Sequence, residues 1–139
     1  MVNTMDKILS HRDLKVWQKA MDAAMDIYEV TKKFPPEEKY SLTDQVRRCS
    51  RSVPAQISEA WRKRRYVAAF VSKLNDSEGE AAETQTHIEV ARRCHYLTEA
   101  QAAELDGVYE EIIAMLATMA NHPEKWCLSN RRPSHALTV

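Results

Sequence analysis

Apolar residues recur at intervals of three and four along most of this chain, the spacing that gathers side chains on one side of a 3.6-residue helix. The first stripe is Leu14, Trp17, Met21, Ala24, Tyr28 and Thr31, with Asp13 as its expected N-cap. Pro35 and Pro36 end it, because a residue before proline is driven from helical angles. A second stripe, Leu42, Val46, Cys49, Val53, Ile57 and Ala60, opens at Ser41, with Asp44 in its first turn to complement the helix dipole. The third has heptad spacing: Val67, Phe70, Leu74, Ser77, Ala81, Thr84, Ile88, Ala91 and His95. Its small central residues would let a neighbouring helix approach closely. Thr98 and Gln101 form a capping box for a fourth helix, with Leu105, Val108, Ile112, Met115 and Met119 inward and a stop near Asn121, ahead of Pro123.

Two places resist simple reading. Pro54 lies inside the second stripe, where its missing N–H and its ring cost about 3 kcal/mol. Yet the apolar phase before it continues in step through Ile57 and Ala60, which predicts one kinked helix rather than two. No Gly or Pro separates Ala55 from Glu78, but an unbroken helix to Leu97 would be about 85 Å long. A tight turn is therefore expected near Arg62 to Tyr66. The outcome is an all-α fold, an up-down-up-down antiparallel four-helix bundle over residues 13–121. Residues 1–12 read as a flexible lead-in and 122–139 as a mostly flexible tail, with Trp126 and Leu128 packing back before order is lost.

Composition agrees with this reading: the chain has 139 residues, only 2 glycines and 29% charged residues. One domain of this length can bury roughly two thirds of its unfolded surface. Cys49, Cys94 and Cys127 stand far apart with no CxxC pair and no secretory signal, which favours reduced thiols in a cytoplasm. No apolar run approaches the ~20 residues needed to span a membrane.

Net charge is zero, but it is unevenly placed. Tyr40 to Tyr66 carries 7 basic residues against 2 acids, and Val67 to Ala120 carries 3 against 10. Helical geometry puts Arg47, Arg48, Arg51 and Arg62 within an arc of about 100° opposite the second stripe. Lys63, Arg64 and Arg65 extend that patch. Such a surface can hold phosphates bidentately. The competing reading is that these arginines are solvated or paired, with Glu59 on the same arc and Asp76, Glu80 and Glu83 on the third helix as partners.

Other chemistry is weakly supported. A di-iron bundle needs Glu-x-x-His pairs, and the residues three before each histidine are Ile8, Thr84, Arg92, Met119 and Arg132. Glu83 and His87 could clamp a metal, but no second His or Cys falls at a supporting spacing along the chain. Cys94 beside His95 is poorly aimed, since adjacent helical positions diverge by about 100°; His95 reads as semi-buried on the core seam. Cys49 reads as a small core hydrophobe. With no phosphate loop or nucleophile elbow, no enzyme, cofactor or metal is expected.

Leu42 to Trp61, LTDQVRRCSRSVPAQISEAW, resembles the signature of the four-helix-bundle proteins encoded in 23S ribosomal RNA intervening sequences, a family that includes the accessory variability determinants of diversity-generating retroelements. The matching positions are Gln45, Arg48, Ser52, Pro54, Ile57 and Glu59, preceded by Asp13 to Asp22 and by Phe34 with Pro35. Glu83, Thr86, Ala91, Tyr96 and Leu97 match in the third helix. Ala60 departs from the glycine of many relatives, and the neutral charge departs from the basic retroelement proteins. The resemblance implies a homo-oligomer, specifically a homopentamer, without catalytic activity. For the retroelement branch it also implies a reverse transcriptase and its template RNA as partners. Two functions follow as expectations: a module binding RNA or single-stranded DNA through Arg47, Arg48, Arg51, Arg62, Lys63, Arg64 and Arg65, or a scaffold for another protein in which the arginines lock the oligomer.

Overall fold

The computed structural model describes residues 8–128, so the expectations for residues 1–7 and for the tail from Ser129 lie outside the described residues. Four helices account for the fold: α1 (Lys15–Thr31), α2 (Leu42–Arg62), α3 (Val67–Arg93) and α4 (Glu99–Asn121). Short 3-10 segments at His11–Asp13, Pro36–Glu38 and Pro123–Lys125 shape the connections. Helix α1 packs on α2 and α4, and α3 packs on the same two, so α2 and α4 occupy opposite corners. Four residues join α2 to α3 and five join α3 to α4, too few to run back along helices of this length, so successive helices are antiparallel. The turn expected between Arg62 and Tyr66 is present.

Pro54 sits within one continuous α2, fully in the interior. The six stripe residues of α2 are all buried, on both sides of the proline. Beside it, the Ser77 hydroxyl of α3 donates to the Val53 carbonyl at 2.9 Å. A proline loosens the helical ladder around itself, and a buried carbonyl without a donor is costly. The carbonyl that Pro54 leaves without its helical donor is that of Ser50, whereas Ser77 adds a cross-helix donor to the Val53 carbonyl of the peptide bond before the proline. The small seam of α3 allows it: Ser77, Ala81 and Thr84 are wholly excluded from solvent.

Several local expectations give way to tertiary packing. The buried residues of α1 are Val16, Ala20, Ala23, Ala24, Ile27 and Thr31. Trp17 and Met21 are half-buried, and Tyr28 is 36% exposed. Alanines permit closer helix contact than aromatics do, so the bulky side chains cover the edge of the seam instead. In α4, Tyr109 and Leu116 are buried where Val108 and Met115 were expected. The buried Tyr109 hydroxyl lies beside Ser50, whose oxygen remains free to accept because its own proton is donated to the Arg47 carbonyl at 3.0 Å.

The caps differ too. Asp13 accepts from the Leu9 and Ser10 amides and so closes the first 3-10 turn, leaving Leu14 at the N-cap of α1. Ser41 makes no side-chain cap; Glu38 accepts from the Leu42 amide at 3.2 Å. The Thr98–Gln101 capping box is formed in both directions. His95 is not on the core seam: α3 stops at Arg93, and His95 is exposed with a positive φ of 64°. Its amide donates to the Arg92 carbonyl and that of Tyr96 to the Ala91 carbonyl, the Schellman pattern that ends a helix with a left-handed residue.

Two substitutions test these points. Ser77→Ala removes the cross-helix hydrogen bond to the Val53 carbonyl and should cost about 1 kcal/mol in denaturant unfolding. His95→Gly removes a Cβ from a left-handed position and should raise stability by about 1 kcal/mol, read as a higher thermal midpoint.

Candidate functional site

The arginines of α2 do not form one patch. Arg47 and Arg51 turn toward α1, where their guanidinium carbons lie 4.8 Å and 6.0 Å from the Tyr28 ring centroid. Arg47 Nε also donates to Thr31 Oγ1 at 2.8 Å. Lys32 reaches the same ring at 4.8 Å, so an exposed tyrosine gathers three cations. Arg48, one residue on and about 100° around the helix, opens instead toward α3.

At the far end, Arg62 is close enough to His11 that its charge, after burial and Arg12, helps lower the imidazole pKa. Arg64 folds back over Trp61 at 3.5 Å from the ring centroid and donates to the Trp61 carbonyl. Its own carbonyl accepts from the Leu128 amide at 2.9 Å, tying the end of the described chain to this turn. Lys63 and Arg65 are exposed.

Of the four acids expected to neutralise this surface, Glu59 and Asp76 are engaged by Lys73, whereas Glu80 and Glu83 line a cleft with Arg48. Glu59 pairs with Lys73 at 3.0 Å, and Asp76 lies 4.0 Å from the same ammonium. Glu89 accepts from Arg92 and Arg93, and those hydrogen bonds hold its carboxyl down to about 2. Among the described residues, Arg47, Arg48, Arg51, Arg62, Lys63 and Arg65 enter no ion pair.

Arg48 lines a cleft of about 380 Å³ between α2 and α3, together with Asp44, Gln45, Cys49, Ser52, Glu80, Glu83 and His87. Gln45, Arg48, Ser52 and Glu83 are positions of the family signature, here brought to one place. On the cleft floor, Thr84 Oγ1 lies 3.1 Å from Cys49 Sγ and 2.9 Å from the Glu80 carbonyl, two acceptors for its one proton. Burial above all pushes the Cys49 thiol up, to about 11, with Glu83 and Glu80 adding to the rise and Thr84 opposing it. Glu83 Oε2 stands 3.5 Å from His87 Nε2.

Cys49 was missed as a partner for Glu83 and His87 because the search ran along α3 alone. Equal steps back from the turn at 63–66 put Cys49 opposite Glu80, about one turn from Glu83 and Thr84. Cys94 and His95 are both exposed at the end of α3, and the helix ends between them and the core.

A bundle with a proline held inside its second helix, and polar signature residues facing its third, defines a class of small all-α proteins. The chain belongs to the 23S rRNA-intervening sequence protein family, whose model matches residues 12–118. It is similar to a crystal structure of a protein of unknown function from the S23 ribosomal protein family of Bacteroides thetaiotaomicron. That match has 27% identity and a TM-score of 0.69, covering 76% of this chain and 97% of the other. No curated protein matches.

The thiols give a direct check on the cleft. Because the Cys49 pKa is raised, its reactive thiolate forms only as pH climbs toward about 11, whereas Cys94 is exposed. Alkylation near pH 8 followed by peptide mass spectrometry should label Cys94 and spare Cys49. Cys49 labelling should rise with pH.

Proposed function

We propose that this protein is a non-enzymatic, oligomeric binding module that engages RNA or single-stranded DNA through the basic surface of α2, as an accessory to a nucleic-acid enzyme such as a reverse transcriptase. The observation that carries the reading is the set of α2 cations left without acidic partners among the described residues. Cations kept free of ion pairs remain available to phosphate. Arg47 and Arg62 are separated by about 22 Å of helix rise, so the cations of α2 are spread along its length. Tyr28, exposed among Arg47, Arg51 and Lys32, adds an aromatic face of the kind on which bases stack. The homopentamer implied by resemblance would repeat the surface in each copy, and three free cysteines suit a reducing cytoplasm. No described helix is long and apolar enough to cross a membrane.

A second reading rests on Arg48, which faces Glu80 and Glu83 across the cleft rather than open solvent. In that reading the protein is a scaffold and Arg48 helps lock an interface between copies. Arg48→Glu would then break the assembly in light scattering with no effect on nucleic-acid binding.

Fluorescence anisotropy with a short single-stranded RNA separates the two. Binding should be measurable at about 50 mM salt and weaken steeply as salt rises. Arg51→Ala and Arg62→Ala should each reduce the slope of log K against log salt by about 0.7, while Arg93→Ala on α3 leaves it unchanged. No binding at low salt, or equal losses at Arg93, would overturn the proposal.

A further inference from the structure

We propose that Cys49, Glu83 and His87 form a binding site for a divalent transition-metal ion of the zinc class, shared between α2 and α3 and open to the cleft beside Arg48. One ligand atom from each of the three lies within 4.8 Å of the others. Metal–ligand distances of about 2.0–2.3 Å set tetrahedral ligand atoms roughly 3.5 Å apart. Glu83 Oε2 and His87 Nε2 already stand 3.5 Å apart, from positions four residues apart on one helical face. Closing the rest of the triangle needs a movement of about 1 Å, within the range of a side-chain rotation.

Three further observations favour a metal over a coincidental cluster. His87 Nε2 is buried and has no hydrogen-bond partner among the described residues. A buried polar atom left unsatisfied costs free energy, and coordination would satisfy it. Thr84 Oγ1, 3.1 Å from Cys49 Sγ and 2.9 Å from the Glu80 carbonyl, can turn its one proton to the sulfur as outer-shell partners of thiolate ligands do. The cleft also carries Asp44, Glu80 and Glu83 against the single cation Arg48, a local excess of negative charge that favours a divalent ion.

The donor set selects the ion. A thiolate, an imidazole and one carboxylate suit zinc or cobalt, whereas magnesium and calcium require oxygen ligands. On ligation the Cys49 proton passes to solvent. Three protein ligands leave the fourth position to water from the cleft.

Cobalt titration of the full-length, tag-free, chelator-treated protein tests the site. One equivalent of Co²⁺ per chain should bind and produce the near-ultraviolet sulfur-to-cobalt charge-transfer band, which Zn²⁺ then abolishes by displacement. Cys49→Ser should eliminate the band. His87→Gln and Glu83→Gln alter less buried side chains, and with helicity unchanged by circular dichroism they should weaken Co²⁺ binding at least tenfold. Cys94→Ser should leave the titration unaltered. Absence of the band, its survival in Cys49→Ser, its loss in Cys94→Ser, or undiminished affinity in His87→Gln would each overturn the proposal.

Discussion

The hydrogen bond from Ser77 to the Val53 carbonyl holds together the interface on which the rest of the bundle depends. A proline in the buried face of α2 would ordinarily split a helix or leave polar backbone unsatisfied in the core. A small hydroxyl residue of α3 opposite it lets the two helices pack along their length and adds a hydrogen bond to the Val53 carbonyl beside the proline. Their interface is the most extensive in the molecule. It also fixes register. With Val53 against Ser77, Cys49 falls against Thr84, and Arg48 is directed to a cleft rather than to open solvent.

That register divides α2 into two working sides. Arg47 and Arg51 go toward α1 and the Tyr28 ring; Arg48 goes toward α3 and its acids. Adjacent residues thus serve different surfaces although they are neighbours in sequence. The aromatic and basic side facing α1 suits contact with a nucleic acid. The cleft on the other side is narrower, mixed in charge, and lined by soft and hard donor atoms together.

Much of this was legible from residue spacing. The α2 stripe and its continuity through Pro54, the turn after Arg62, the α3 seam from Phe70 to Ala91 and the Thr98 capping box all follow from local pattern. What failed did so for tertiary reasons. In α1 two apolar stripes lie side by side, and periodicity cannot say whether alanines or large residues face inward; close packing chose the alanines. At His95 the heptad phase ran on past a helix end that contains neither Gly nor Pro. Asp13 spends its carboxylate on the 3-10 turn before α1, and Ser41 is displaced at the start of α2 by the Glu38 carboxylate. The basic arc was legible as composition, but its division into two sides depends on which helix lies next to α2. Cys49, Glu83 and His87 come from different helices, so no motif along the chain could reveal them.

The separation of charge between helices gives the molecule a property that its net charge hides. Helix α2, rich in cations, and helix α4, carrying Glu99, Glu104, Asp106, Glu110 and Glu111, occupy opposite corners of the bundle. A neutral particle built this way is a strong electric dipole. With a pI of about 7.0 it has little overall repulsion to hold copies apart, so the positive corner of one is drawn to the negative corner of the next. Dissolved salt weakens that attraction over a Debye length of about 8 Å at physiological ionic strength. The ionic medium therefore sets how far the charge of each corner is felt beyond the surface of the molecule.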